Sequence, residues 1–306
     1  MKNKVERILV PVDLSETSLN AFNTAIQIAK RHHAQLYLLY IQDIMDYHPK
    51  MGQMATLEPV LDEAFLKDEL LLEKIVKAVF YTHQVNCFLQ VEAGNRPIVI
   101  CEKEAELDID LIVIGTDPDI AKQSYLNDSL AYKVLKHANC HVLTVPAGTE
   151  VNRFEQIIFP VSSQGNPVEK LKQSQKFIAK NNAQVSVIGL IKKQDLSFLG
   201  TIRDLSELIK GRLKQFTGPV TRKSVYTLNP AEELKEICKD ENADLIIMEG
   251  NTKRNLRQFF FGNLTQRMIR NAEVAVLFIN NLSGKEKGNN PLTQTHVIKL
   301  LRHHAV

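Results

Sequence analysis

The sequence lacks most of the short motifs that would assign a reaction at once. It contains no HExxH zinc-protease motif, no G-x-S-x-G nucleophile motif and no GxxxxGK[ST] phosphate loop. Its four cysteines (Cys87, Cys101, Cys140 and Cys238) lie far apart and form no CxxC pair. This spacing disfavours a zinc site or a disulfide framework and is typical of buried thiols in a reducing compartment.

Targeting and membrane signals are also missing. The opening residues, MKNKVERILVPVD, contain no apolar signal-peptide segment, and no run approaches the ~18 apolar residues of a membrane span. The formal net charge of +3 is too small to indicate a nucleic-acid partner. We therefore expect a cytoplasmic protein with no membrane or nucleic-acid partner.

What the chain does have is an internal repeat. Residues 8–13 (ILVPVD) match residues 157–162 (IIFPVS) at an offset of 157 − 8 = 149, and residues 34–38 (AQLYL) match 183–187 at the same offset. Further on, residues 110–114 (DLIVI) match 244–248 (DLIIM) at 244 − 110 = 134, as do 142–145 and 276–279. Matches in fixed order at two constant offsets predict two copies of one domain. We call them copy 1 and copy 2.

Each copy alternates strand and helix patterns. In copy 1 we predict strands at 7–12, 34–41, 86–92, 111–115 and 141–145, with helices between them, including one from Asp13 or Ser15 through Lys30 and one over 57–82. In copy 2 the strands are predicted at 156–161, 184–191, 222–227, 244–248 and 274–280, and the helices at 166–180, 201–216, 230–240 and 263–271. Such alternation predicts an α/β fold with two doubly wound, parallel five-stranded sheets.

The stretch from Asp108 to Pro146 contains the first candidate site. A β-branched strand at Leu111–Gly115 is followed by a polar loop at 116–124, a helix at Ser129–His137 and a strand at His141–Val145. A glycine at the carboxyl end of a buried parallel strand marks the place where an open α/β sheet puts its ligand crevice. We therefore predict a ligand at Gly115.

These residues together resemble a known family. The segment VPVD at 10–13, the strand AQLYLL at 34–39, the turn GNRP at 94–97, DLIVIG at 110–115 and VLKHANCHVLTVP at 134–146 are similar to a universal stress protein domain. The resemblance covers residues 5–147 and, more loosely, 153–281. It implies a tandem universal stress protein, with adenine-nucleotide alpha hydrolase-like domains that pair through their last strands.

The resemblance also implies a nucleotide site, for ATP or another adenine nucleotide. Nucleotide-binding members use an aspartate after the first strand and a loop patterned G-x2-G-x9-G-[ST], whose backbone N–H groups hold phosphates. Copy 1 keeps Asp13, Gly115 and Ser129 but has Pro118 and Asp128 in place of two glycines. The implied cofactor-binding residues are Pro11, Asp13, Ile41, Ile114, Gly115, Ser129 and Leu130. Arg96 is a further candidate phosphate contact.

Each of these positions also has a structural interpretation. Asp13 and Ser129 could cap the helices that follow them, and Gly115 could serve a turn with positive φ. Ile41 and Ile114 could be plain core, and Arg96 could belong to a solvated turn. These alternatives stay open on sequence grounds.

Copy 2 keeps much less of the pattern. Its aligned loop is Glu249-x2-Thr252-x9-Gly262-Asn263, in which Gly262 alone matches, and Ser162 replaces the aspartate. Glu249 would place an acid at the mouth of the crevice. In copy 1, Asp128 would set a carboxylate beside the phosphates, where like charges repel. We therefore expect weak nucleotide binding in copy 1 only.

Three functions are compatible with these observations. The first is a stress-response binding or regulatory module without catalysis. The second is a nucleotide-free scaffold for a protein, or for an apolar ligand under the insert between Ile41 and Leu57, which contains Met45, Met51 and Met54. The third is a slow nucleotide hydrolase that uses Asp13 or Asp128. We favour the first, and we expect no enzyme activity and no metal site.

Domain limits and pairing follow from the repeat. We predict domains at residues 1–148 and 153–281 and a C-terminal tail at 282–306, in which His296, His303 and His304 give only a weak metal signal. The strands His141–Val145 and Val274–Ile279 are apolar, and an exposed apolar edge favours a partner. We expect these two strands to pair within the chain, and a homodimer of chains is a further hypothesis.

Overall fold

The computed structural model describes residues 4–42, 63–117, 129–149, 152–163, 165–250 and 259–280. The predicted start of the second helix at Leu57, the insert with its methionines, and the whole tail lie outside these residues.

Copy 1 has the predicted alternation of strands and helices. Its elements are β1 (Arg7–Val12), α1 (Glu16–His32), β2 (Gln35–Gln42), α2 (Glu63–His83), β3 (Cys87–Ala93), α3 (Arg96–Glu106), β4 (Leu111–Thr116), α4 (Leu130–His137) and β5 (His141–Pro146). Helix α1 begins where the Ser15 hydroxyl accepts a hydrogen bond from the Ser18 N–H, and it ends at His33, whose φ of 54° is left-handed. Ser15, not Asp13, is therefore the N-cap.

Copy 2 repeats the plan with one addition. Its elements are β6 (Gln156–Val161), α5 (Pro167–Asn181), β7 (Gln184–Ile191), a 3₁₀ helix (Lys193–Phe198), α6 (Leu199–Leu213), β8 (Val220–Tyr226), α7 (Pro230–Asp240), β9 (Leu245–Glu249), α8 (Phe259–Asn271) and β10 (Ala275–Ile279). The sequence did not predict the 3₁₀ helix. It also placed α6 two residues late, at Thr201, and β8 two residues late, at Arg222.

The ten strands within the described residues form one sheet, in the order β3-β2-β1-β4-β5-β10-β9-β6-β7-β8. Pairing is parallel within each copy, and the two copies join where β5 and β10 run antiparallel, with Leu143 opposite Leu277. The Asn280 amide adds two hydrogen bonds across this seam, to the carbonyls of Ala138 (3.1 Å) and Cys140 (2.8 Å). The prediction that the last strands pair is confirmed.

Helices cover both faces of the sheet, so the central strands are buried on both sides. Ile8, Leu9 and Val10 are each fully buried although their side chains alternate in direction. One apolar cluster lies under α1, α2, α5 and α6, and the second lies under α3, α4, α7 and α8. Within the parts of the chain that the structure describes, no helix has the length and apolar character needed to cross a bilayer.

Candidate functional site

The crevice of copy 1, here called crevice 1, opens between β1 and β4. Ladder pairs between these two strands stop after Ile8–Leu111 and Leu9–Ile112, although both strands continue. Strand β1 stays paired with β2 along its full length. The carboxyl ends of β1 and β4 therefore diverge at the point where the strand order reverses, which is where doubly wound folds bind ligands.

Asp13 lies at this opening and is held by its neighbours. Its Oδ1 accepts hydrogen bonds from the Ser15 hydroxyl (2.6 Å) and the Ser15 N–H (3.1 Å), while its own N–H donates to the Ser18 hydroxyl. Burial alone would raise the pKa of Asp13, but hydrogen bonding by Ser15 and Ser18, with Arg96 nearby, holds the pKa below its usual value. The side chain is 49% exposed and stays ionised at neutral pH.

Two further side chains reach the same opening. Arg96, at the start of α3, places Nη1 3.9 Å from Asp13 Oδ2. Tyr40, level with Val12 on the neighbouring strand, donates its hydroxyl to Asp68 of α2 at 2.8 Å. Burial and this hydrogen bond raise the pKa of Tyr40 to about 12, so it remains a donor. Sequence reasoning missed Tyr40, although its place beside Ile41 at the end of β2 could have indicated it.

Gly115 has a role that the sequence did not reveal. A Cβ added at this position would lie 2.4 Å from the carbonyl oxygen of Thr17, in the first turn of α1. Among the described residues the glycines with positive φ are Gly94 and Gly148, so the turn interpretation of Gly115 was wrong. The missing side chain instead lets the beginning of α1 approach the end of β4.

The remaining predicted residues of copy 1 lie around the same end of the sheet. Pro11, Ile41 and Ile114 are buried at the carboxyl ends of β1, β2 and β4, and Leu130 begins α4. Ser129 occupies the N-cap position of α4, yet its hydroxyl makes no capping hydrogen bond. Pro118 and Asp128 lie outside the described residues.

In copy 2 the corresponding opening, crevice 2, lies between β6 and β9. These strands also stop pairing early, after Ile157–Leu245 and Ile158–Ile246. Glu249 stands at the position of Gly115 (249 − 134 = 115), and Lys170 stands at the position of Ala21 (170 − 149 = 21). Both charged side chains turn inward, where copy 1 has none.

Lys170 and Glu249 form a buried ion pair. The Lys170 Nζ lies 3.2 Å from Glu249 Oε2, donates to the Pro160 carbonyl at 2.5 Å and lies 4.2 Å from the centre of the Phe159 ring. The Lys170 side chain is 1% exposed and that of Glu249 16%. Burial lowers the pKa of Lys170, and the Glu249 charge opposes this shift only in part. Glu249 therefore points into the protein rather than out of the crevice mouth.

The loop pattern of copy 2 is also lost at the backbone level. Gly262 and Asn263, which align with the third glycine and the serine of the phosphate loop, lie inside helix α8. The prediction that this helix begins at Asn263 was therefore wrong, since it begins at Phe259. Thr252 lies outside the described residues. In the described part of the chain, no three His, Cys, Asp or Glu side chains gather as a metal site would require.

Comparison with known proteins was consistent across sequence and structure. The family model described as "Universal stress protein family" matches the chain twice, at residues 4–146 and 158–280. A universal stress protein of Methanocaldococcus jannaschii is 31% identical over 146 residues, which cover 47% of this chain and 84% of the relative. A putative universal stress protein of Staphylococcus haemolyticus is also 31% identical over 146 residues, covering 46% and 84%.

Solved structures share the fold over the whole tandem arrangement. A universal stress protein from Archaeoglobus fulgidus superposes with a TM-score of 0.69 at 16% identity, covering 91% of this chain and 97% of the other. A putative universal stress protein from Pseudomonas aeruginosa gives a TM-score of 0.59 at 15% identity, with 91% and 94% covered. At these identities the likeness supports the fold alone.

Proposed function

The chain belongs to the universal stress protein family, and we propose that it is a binding module that takes up one adenine nucleotide in crevice 1 and none in crevice 2. The observation that carries this proposal is the contrast between the two openings. Crevice 1 presents an ionised Asp13 beside Arg96, whereas crevice 2 encloses the Lys170–Glu249 pair.

The chemistry of crevice 1 suits a nucleotide. An ionised carboxylate can accept hydrogen bonds from ribose hydroxyls, and Ser15 engages only Oδ1 of Asp13. Arg96 and the first N–H groups of α4 would bind phosphate oxygens. The Ser129 hydroxyl makes no capping hydrogen bond, so it could donate to the same phosphate. The buried ends of β2 and β4, at Ile41 and Ile114, would contact the base.

Crevice 2 is unsuitable for the same ligand. Its carboxylate is already paired with a buried ammonium, and its first strand ends in Ser162 rather than an aspartate. The two long side chains of this pair occupy positions where crevice 1 has a glycine and an alanine, so a nucleotide would have to displace them.

The state of Asp13 supports binding without turnover. A general base works best when its pKa lies near the operating pH, and the pKa of Asp13 is held below the usual range for aspartate. Asp13 is therefore suited to accept hydrogen bonds and poorly suited to remove a proton. A slow nucleotide hydrolase is the rival function, and the experiment below includes it.

The test is a thermal-shift titration with ATP and magnesium. At 100 times the dissociation constant, one occupied site should stabilise the chain by ~2.7 kcal/mol. Asp13→Asn should abolish the rise in melting temperature, whereas Ser162→Ala, the matched change in copy 2, should leave it intact. If wild type shows no rise at millimolar ATP, the nucleotide proposal is wrong and a nucleotide-free scaffold remains.

Phosphate release is measured in the same samples. We expect release no faster than in a protein-free blank. Release above the blank that Asp13→Ala abolishes would establish the hydrolase instead. The domain limits at 1–148, 153–281 and 282–306, the cytoplasmic location and the homodimer stay predictions, and sedimentation of the purified chain would test the last.

A further inference from the structure

A cavity of about 270 Å³ lies in copy 2 at the opposite end of the sheet from crevice 2. It is lined by helix α7, the start of β9 and helix α8, and it is open to solvent on one side. Cys238, Ala243, Ile246, Met268 and Ala272 form its apolar floor. Cys238 and Ala243 are themselves buried, so the cavity continues the second apolar core cluster to the surface.

At two positions of this lining copy 1 has larger side chains. At the offset of 134, Glu104 corresponds to Cys238 and Ile109 to Ala243. The Glu104 side chain is buried in a residue only 4% exposed, and its Oε2 accepts from the Asn139 N–H (3.2 Å) and the Asn139 amide (3.3 Å). A satisfied carboxylate and an isoleucine thus complete the core of copy 1 at this point.

Copy 2 loses both fillers and also the partner of the carboxylate. Glu273 replaces Asn139, and it lies at the rim, where its Oε1 is 2.7 Å from Lys235 Nζ. Copy 2 therefore has its carboxylate at the edge of the site, and the interior positions carry the thiol of Cys238 and the methyl group of Ala243. The apolar floor is open to solvent on one side, and a bound apolar molecule would shield it from water.

The charge around the cavity favours an uncharged ligand. Lys235 is paired with Glu273, and Glu232 and Glu236 lie nearby. These three carboxylates outnumber the rim lysines, Lys235 and Lys239, so the rim has no net positive charge for an anion. Lys239 and Asn242 at the rim supply N–H donors for one polar group. The volume lies just below the range of drug-sized pockets, which favours a molecule of one or two rings.

We propose that this cavity binds a small, neutral, mainly apolar molecule whose single polar atom accepts a hydrogen bond at the rim. The site is separate from crevice 1 and does not depend on nucleotide binding. We expect the site in copy 2 alone, because copy 2 has Cys238 and Ala243 where copy 1 has Glu104 and Ile109.

The probe for this site is 2-naphthol, which is neutral at pH 7. The full chain is labelled with ¹³C at its six methionine methyl groups, and the Met268 signal is assigned from a Met268→Leu spectrum. We expect 2-naphthol to move the Met268 signal in a saturable way. The anion 2-naphthoate, which has the same ring system, should bind at least about tenfold more weakly, because its charge must be desolvated at a rim with no net positive charge.

Variants that restore the residues of copy 1 should close the cavity. Ala243→Ile should weaken 2-naphthol binding by on the order of tenfold or more, since even one methylene in a filled pocket changes affinity by about that factor. The double variant Cys238→Glu with Glu273→Asn should do the same, while Cys238→Ala, which keeps the space, should bind like wild type. An unmoved Met268 signal up to the solubility limit, or wild-type affinity in folded Ala243→Ile, would overturn the proposal.

Discussion

Crevice 1 and crevice 2 share a backbone plan but differ at two core positions. Where copy 1 has Gly115 and Ala21, copy 2 has Glu249 and Lys170, and these two long side chains meet in the interior. The strands diverge at the same register in both copies. The fold thus determines where each crevice opens. Two side chains from separate elements determine whether the crevice is open or filled.

The contrast also shows why a charged pair can replace a site without loss of the domain. Lys170 would be costly alone, but it has a carboxylate, a carbonyl and an aromatic ring around its ammonium. Gly115, in turn, is needed by α1 and not by a turn. In each copy, the first helix therefore matches the residue at the end of the fourth strand: Thr17 of α1 faces Gly115, and Lys170 of α5 pairs with Glu249.

The largest effect is expected from breaking the pair in crevice 2. Glu249→Ala leaves the Lys170 ammonium buried without its carboxylate, and such changes cost about 3–5 kcal/mol. The midpoint of urea unfolding should fall accordingly. Lys170→Met combined with Glu249→Met, which removes both charges, should cost clearly less, and a loss of under about 1 kcal/mol for Glu249→Ala would mean that the pair contributes little.

The next largest effect is a pH dependence of stability that arises in copy 1 and not at the equivalent position of copy 2. His32 is the last residue of α1, is 4% exposed and lies against Phe177. Burial, together with the neighbouring cations, lowers its pKa to about 4. The equivalent residue in copy 2 is Asn181, which does not titrate. The unfolded chain, with a pKa near 6.5, binds the proton more tightly, so the folded state loses stability as pH falls from 6.5 to 4. One pKa unit is about 1.4 kcal/mol, which gives a loss of about 2–3 kcal/mol.

His32→Asn should remove that part of the pH dependence, as seen in urea unfolding at pH 7 and pH 4.5. His141, whose pKa burial lowers to about 4, acts in the same direction. Asp244, whose pKa burial raises to about 6, acts in the opposite one. Both groups are unchanged in the variant, so an identical pH dependence in His32→Asn and wild type would contradict the assignment to His32.

The smallest effect compares two glycines. The Cβ of Gly115→Ala would meet the Thr17 carbonyl at 2.4 Å, so backbone must move, at a cost of about 1–3 kcal/mol. The Cβ of Gly211→Ala, in α6, would meet nothing within 4 Å and should not destabilise the chain. Urea unfolding measures both, and equal losses would show that crevice 1 tolerates α1 moving away.

The repeat made most of the fold predictable. Strands β1, β6 and β7 begin and end at the predicted residues, because each is mainly apolar and begins with a polar residue. The edge strand β8 was placed less well, since its residues 220–226 (VTRKSVY) carry four polar or charged side chains and no clear apolar period. Its position is fixed by pairing with β7 instead.

The candidate sites were predictable only in part, and for a physical reason. Gly115 was predicted from its place at a strand end and Asp13 from the family resemblance, but the need for glycine comes from a carbonyl about 100 residues earlier in the chain. Lys170 was missed although it falls on the buried stripe of α5 with Leu171 and Ser174. A lysine on such a stripe signals a buried partner, and the partner, Glu249, is visible only in three dimensions.

The antiparallel seam between β5 and β10 has a consequence for how such a protein can change over time. When two identical chains pair through their last strands, every substitution occurs in both sites at once. Here one chain supplies both sides of the seam, so a change at residue 249 leaves residue 115 untouched. Each molecule therefore presents one crevice of each kind in a fixed one-to-one ratio, and either can be altered by a single mutation without its counterpart.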